Sequence, residues 1–333
     1  MVEYPTGAKI NSISVFRDNI LIASDNNFIY LFDNNGKLLW NREASDRVTS
    51  AKISENQIIA TSMDKYVYSL DMDGKIRWRK KIDSYPEYGN ALDISELYSL
   101  IGTRDGYIYL LDSSGDLRWK KKTDAYVVSV KISGDSLIVV SDKGIYILNP
   151  DGELIFQYTF NSYVRSSYIS DDHIIVGLGN NHLYLFDHEG TLLWNCTLRD
   201  QIGVVHSSDK YIVAGLRDGS VYLSNIDDDH RLIGMLDDSI VSIFTSGDHI
   251  VAGSMGNDLC IFSPSGDLEW KYAPRDHITS LYLSEEYLIT GSFLGDVCYF
   301  RIFRDPTTVI FVAAVVSIVI VAALVVSLRS LMY

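Results

Sequence analysis

The sequence predicts an all-β fold, an eight-bladed β-propeller, followed by one transmembrane α-helix. Three observations carry that prediction. A phrase first complete at 29–40, IYLFDNNGKLLW, returns throughout the chain. Counted at the residue closing its apolar half, it marks Asp33, Asp71, Asp112, Asn149, Asp187, Asn225, Ser263 and Arg301, at steps of 38, 41, 37, 38, 38, 38 and 38. Between the phrases, short apolar runs alternate with period two and are punctuated by turns such as Asp105-Gly106 and Asp218-Gly219. All-β sequence recurring at this period forms one four-stranded blade per repeat, arranged in a ring. Seven blades is the alternative count if one degenerate repeat drops out.

Each repeat reads as four strands. In the second they are VTSAKIS from Val48, QIIATS from Gln57, YVYSLD from Tyr66 and KIRWRKK from Lys75. Asp-Gly turns supply the positive φ angles of tight hairpins, and the alternation fixes which face of a strand packs on the next blade. First strands begin near Ile13, Val48, Ala91, Val127, Val164, Val204, Val241 and Ile278. The third repeat carries an insertion at 85–88, and the sixth reads SNIDDDHRLIGML, without the Gly and Trp. The last repeat has no fourth strand of its own. Val2-Glu3-Tyr4 resembles Leu268-Glu269-Trp270, and Tyr4 to Ser14 is the same distance in sequence as Trp270 to Ser280. The amino-terminal segment is therefore expected to complete the last blade and close the ring, leaving no open edge.

Composition narrows the function classes. A hydrophobic content of 47% with Tyr 22, Phe 12 and Trp 5 supports a substantial core. A net charge of −14 argues against nucleic acid as a partner, because phosphates require a basic surface. Cys196, Cys260 and Cys298 are too few and too scattered for a disulfide framework or a zinc site. Cys260 and Cys298 occupy equivalent third-strand positions and read as packing residues. The start, MVEYPTGAKI, lacks the basic and apolar regions of a secretory signal. Residues 307–328 carry no charge and are rich in Val, Ile and Ala. As a helix they would extend about 33 Å, against a hydrocarbon core of about 30 Å. The expected organisation is a propeller at 1–302, a linker at 303–306, a transmembrane helix at 307–328 and a tail at 329–333. A tail-anchored, single-pass protein with a cytoplasmic propeller follows, since Arg301 and Arg304 precede the span and only Arg329 follows it.

The Asp-x-x-Gly-x-x-x-Trp pattern ends at Trp40, Trp78, Trp119 and Trp194, with Ser263 in place of the Asp before Trp270, and Asn149 and Phe156 at the equivalent places in the fourth repeat. It resembles the tryptophan-docking motif of the quinoprotein-like (PQQ-repeat) propellers, and more distantly WD40-like repeats. The resemblance implies that each aromatic docks between blades. It covers quinone-dependent alcohol dehydrogenases and also non-enzymatic members such as the outer-membrane assembly lipoprotein. The enzymes carry an adjacent cysteine pair and a calcium site, and this chain has no adjacent cysteines. The likeness therefore carries the fold without the cofactor. No catalytic, cofactor-binding or metal residues are expected, and the seven histidines select no triad.

Two surfaces remain as candidates. Asn11, Asp46, Asp83, Asp124, Asn161, Asp200, Asp238 and Asp276 lie between successive blades, around one mouth of the central channel, joined there by Asp64, Asp105, Asp142 and Asp218. They read as Asx caps of turns, or as a ring of acceptors for a cation or basic peptide. Arg77, Arg79, Lys80 and Lys81 on one outer strand neighbour Arg118, Lys120, Lys121 and Lys122 on the next. This basic rim either guards a strand edge or docks an acidic partner. Asp227-Asp228-Asp229 and Asp237-Asp238 make the opposite side acidic. The expected function is a membrane-anchored binding or scaffold protein with a protein partner, no cofactor, and a bilayer contact through 307–328. A quinone-dependent dehydrogenase-like enzyme and a regulator of a small GTPase at a membrane are the alternatives.

Overall fold

The computed structural model describes residues 2–225, 230–284, 286–305 and 308–312. These form eight antiparallel sheets in sequence order, spanning 10–43, 48–81, 92–122, 127–159, 164–197, 202–235, 240–272 and, for the eighth, 278–305 with Val2–Pro5. The sheets are blades 1 to 8. The first strands contact one another from blade to blade around the whole ring, so they are the inner strands lining the channel.

The core is distributed rather than central. Buried residues fall into eight clusters, each shared by two neighbouring blades. One joins Leu21 and Leu31 of blade 1 to Ile58 and Tyr68 of blade 2, and the last joins Ile289 and Val297 of blade 8 back to Ile10 and Ile22 of blade 1. The second strands alternate little, because both of their faces meet a neighbour: Ile58–Ser62 is buried throughout. No blade can bury its faces alone, which is why the repeats require a ring.

The repeated phrase has a physical meaning at each joint. Asp71 accepts from the backbone N–H groups of Asp73 (3.1 Å) and Lys75 (2.8 Å), which shapes the turn. Gly74, at φ 75°, completes that turn and leaves room for an indole. A Cβ there would lie 2.7 Å from Cδ2 of Trp40, which belongs to the preceding blade. The same seat holds Trp78 on Gly115, Trp119 on Gly152 and Phe156 on Gly190. Each indole N–H donates to the turn below it: Trp40 to Met72 O (2.8 Å), Trp78 to Ser113 O (2.9 Å) and Trp119 to Pro150 O (2.8 Å). Trp119→Ala should accordingly lower stability by about 3 kcal/mol in a denaturant titration, the low end for a large aromatic because its ring is half-buried. A change below about 1 kcal/mol would show that the docked indole holds nothing.

The ring closes as expected. Val2–Pro5 pairs antiparallel with the third strand of blade 8, Tyr4 opposite Val297. Tyr4 takes the docking place, edge-on to Phe32 with ring centroids 5.2 Å apart. The Thr6 N–H donates to Gly295 O at 2.8 Å and locks the turn that follows.

The carboxyl end differs from the expected linker and helix. The last blade strand continues to Asp305, and Thr308–Val312 folds back on it with Val312 opposite Arg301 and Thr308 opposite Asp305. The amino-terminal strand pairs with this strand from Asp296 to Tyr299, and Thr308–Val312 pairs with it from Arg301 to Asp305. The sequence TVIFV is rich in strand-forming residues. No helix among the described residues is long and apolar enough to cross a membrane. The remainder of the expected span and the tail, 313–333, lie outside the described residues.

Candidate functional site

The blade-joining turns do share one face with the turns between second and third strands. Ser45 N–H donates to Asp64 Oδ2 (3.3 Å), and Ser84 Oγ donates to Asp105 Oδ2 (2.9 Å). On this upper face most carboxylates are engaged within the turns. Asp46 caps the N–H of Arg47 (2.7 Å), Asp238 caps that of Ser239 (2.6 Å), and Asp276 accepts from Leu294 N–H (2.6 Å). Asp124 accepts from the Tyr146 hydroxyl at 3.1 Å, while Asp83 faces solvent and pairs with Lys120 at 3.2 Å. Burial raises the Asp218 carboxyl, but hydrogen bonds from Ser220, and then its pairing with Arg199, outweigh that and hold it below the usual range. Asn161 makes a long contact to Asn180, 3.5 Å, and Asp200 is half-buried.

These residues do not all hold the same place in their turns. Asp83, Asp124 and Asn161 stand two residues beyond the outer strand's end, Asp46, Asp200 and Asp238 three beyond, and Asp276 four beyond. Asn11 is a correction: it lies inside the inner strand of blade 1, Ile10–Phe16, and is buried. Its Nδ2 donates to Asp25 Oδ1 (2.7 Å) and to Val48 O (2.8 Å), tying blade 1 to blade 2. The turn there is made instead by the residues around Gly7, at φ 78°. Asp227–Asp229 lie outside the described residues.

The insertion in blade 3 contacts blades 2 and 3 and the start of blade 1. Gly89 N–H donates to Thr49 O at 3.1 Å, and Ser50 Oγ donates to Gly89 O at 2.5 Å. Tyr88 is held between Lys9 of blade 1 (5.3 Å) and Arg104 of blade 3 (4.9 Å), and Arg104 pairs with Glu87 at 3.4 Å.

The residues of the basic rim stand on the outer strands Ile76–Lys81 of blade 2 and Leu117–Lys122 of blade 3. Aromatics of the adjacent third strands hold its cations. Arg79 (5.1 Å) and Lys81 (6.0 Å) lie over Tyr66, and Lys120 (4.0 Å) and Lys122 (5.0 Å) over Tyr107. The Tyr109 hydroxyl, and then Asp83, hold the Lys120 ammonium above its ordinary pKa. Lys80 pairs with Asp116 at 3.7 Å. Among the described residues Arg77, Arg79, Lys81, Arg118, Lys121 and Lys122 make no ion pair.

Sequence reading missed the channel wall. Four residues into the inner strands of blades 5 to 8 stand Tyr168, His206, Phe244 and Tyr282, whose rings contact in series at 4.0, 3.9 and 5.7 Å. Across the channel Lys52, Asp93 and Lys131, with Tyr168, line a cavity of about 90 Å³. The signal was present as repeat-equivalent positions, but the types differ from blade to blade. Several of these side chains bond the next blade's free inner edge: Ser14 accepts from Ile53 N–H (3.3 Å), Asp93 from Ile132 N–H (2.8 Å) and His206 from Thr245 N–H (3.3 Å). His206 is wholly buried, which pushes its pKa down to about 3 and keeps the imidazole neutral. A second cleft, of about 370 Å³, lies between blades 4 and 5 and contains His188, whose Nδ1 is 3.1 Å from Ser133 Oγ. Among the described residues no His, Cys, Asp or Glu cluster is arranged to hold a metal ion.

Eight closed blades, with the aromatics Trp40, Trp78, Trp119 and Phe156 of four outer strands docked on a glycine turn of the next blade, define a tryptophan-docked propeller of the PQQ-repeat class. The chain belongs to the family described as outer membrane protein assembly factor BamB, whose model matches residues 5–125 and 104–277. No curated protein matches it. Among solved structures it is similar to the computationally designed Ika8 protein, at 16% identity and TM-score 0.81 over 90% of this chain and 98% of that one. It is also similar to BamB from Moraxella catarrhalis (16%, TM-score 0.77, over 90% and 98%). Sqt1 of Saccharomyces cerevisiae is similar as well (14%, TM-score 0.79, over 91% and 99%). At these identities the structures share the fold.

Proposed function

We propose that this protein is a non-catalytic binding scaffold, a propeller held to a membrane by residues 307–328 and presenting its upper face and rim to protein partners. The observation that carries the reading is the exit of the chain. The third strand of blade 8 runs from the upper-face turn at Gly295 towards the lower face and leads directly into the uncharged segment. A bilayer reached from there would shadow the lower face, with its turns at 54–56 and 71–74, and leave the upper face and the rim free. Inside a bilayer, residues 308–312 would exchange strand pairing for helical hydrogen bonds, because every backbone group there must be satisfied within its own segment. Membership of a family named for an assembly factor favours binding over catalysis.

Proximity labelling from the propeller in native cells tests the reading. A restricted set of protein neighbours should be enriched, and membranes washed with alkaline carbonate should retain the chain. Release by carbonate would remove the anchor, and a neighbour set indistinguishable from background would remove the scaffold. Sidedness has its own check: protease added to intact cells should leave the propeller whole, whereas digestion, or a glycan on Asn195 within Asn195-Cys196-Thr197, would place it outside. A chromophore or dye reduction on adding quinone and calcium would favour the dehydrogenase-like alternative.

A further inference from the structure

The two basic outer strands stand apart from the rest of the ring. Ile76–Lys81 and Leu117–Lys122 read IRWRKK and LRWKKK, four cations each. The outer strands LLWNRE, LIFQYT, LLWNCT, RLIGM and LEWKY carry at most one. If charge were this ring's device for guarding its edges, it would recur in every blade. It is confined to two neighbours on a protein whose net charge is −14.

The edge itself is available. The blade 2 sheet ends at Ile76–Lys81, which among the described residues pairs on one side only, with Tyr66–Leu70. The Ile82 N–H points inward, donating to Lys65 O at 2.8 Å. Backbone groups alternate along a strand, so the N–H and C=O groups of Arg79 and Lys81 point outward. Their side chains share one side of the strand, held over Tyr66. Held cations lose less freedom on binding.

We propose that Ile76–Lys81 is a docking edge for an extended acidic polypeptide segment, which adds to blade 2 as a fifth strand with a carboxylate at every second position, opposite Arg79 and Lys81. Strand addition supplies main-chain hydrogen bonds, and alternate side chains supply specificity. Directly opposed residues of adjacent strands have Cβ atoms about 5 Å apart, within reach of a carboxylate–cation pair. The inference rests on the binding-scaffold reading and names one partner class for it. A peptide is favoured over an anionic bilayer because the cations climb the side of the ring along a strand, away from the lower face. The acidic remainder of the protein disfavours nucleic acid.

The test uses the full chain in detergent and a fluorescent eight-residue peptide of alternating Glu and Val. Comparison probes are the same residues with the Glu in one block, phosphatidylserine vesicles and oligothymidine. Binding of the alternating peptide should weaken at least tenfold in Arg79→Glu/Lys81→Glu, and less steeply in Arg79→Gln/Lys81→Gln should the reversal impair folding. It should persist in Lys143→Glu/Arg165→Glu, which removes two exposed cations elsewhere. N-methylation of alternate peptide nitrogens should abolish binding in one phase and spare it in the other. The proposal is overturned if the alternating peptide does not bind, if the block peptide binds equally well, if both N-methylated phases behave alike, or if vesicles or oligothymidine are preferred. In any of those cases a partner set still captured in cells would leave the scaffold reading standing.

Discussion

Deleting residues 1–5 should open the ring. The third strand of blade 8 would lose its pairing from Asp296 to Tyr299, and blade 1 would lose the Tyr4 ring that packs on Tyr30 and Phe32 at 5.7 and 5.2 Å. The Thr6 lock on Gly295 would lose the strand that aims it. An exposed apolar strand edge templates pairing with other chains. The melting temperature should therefore fall by several degrees, with aggregation as the alternative manifestation. Tyr4→Ala, which keeps the strand and removes only the docked ring, should fall between wild type and the deletion. An unchanged melting curve for the deletion would contradict closure through the amino terminus.

Acid should destabilise the ring through His206. Burial pushes the pKa of His206 in the folded protein down to about 3, whereas in the unfolded chain it returns to about 6.5. The folded state therefore refuses a proton that the unfolded state accepts between those values. Its contribution to stability is complete above about pH 6.5 and is lost as the pH falls towards 3. At about 1.4 kcal/mol per pH unit, moving from pH 7.5 to 4.5 should remove about 3 kcal/mol through this residue alone. Other groups titrate over the same range, so the measurement is a difference. His206→Gln keeps an acceptor for the Thr245 N–H and cannot titrate. Denaturant unfolding at the two pH values should show wild type losing about 3 kcal/mol more than the variant. Equal losses would mean that His206 is hydrated or already charged.

The fold was legible because the repeat forces every blade to write the same joint. Asp71, Gly74 and Trp78 each have a fixed geometric job, so their spacing survives divergence. The closing strand was legible for the same reason, through the match of Tyr4 to Trp270. Binding surfaces have no such redundancy. Asn11 was misplaced because the first joint is turned by Gly7 and not by an Asp or Asn, so the Asx at the nearest position belongs to a buried strand. The channel wall escaped because one repeat position is Lys52 in blade 2, Asp93 in blade 3 and His206 in blade 6, and only three-dimensional adjacency makes them a set. The basic rim was visible, but not the outward backbone groups of Arg79 and Lys81, which depend on the register of the outer strand.

The central claim is that partners meet the upper face and rim while the lower face is shadowed. A pull-down with the full-length chain in native membranes tests it through two charge-reversed sets. The upper set is Asp124 and Asp200, leaving Asp238 and Asp276 intact because they cap the Ser239 and Leu294 N–H groups. The lower set is Asp73, Glu153 and Glu189, leaving Asp116 intact because it pairs with Lys80. The account predicts that the lower set retains every partner and the upper set loses at least one. Loss of partners with the lower set, while the upper set leaves them bound, would contradict it.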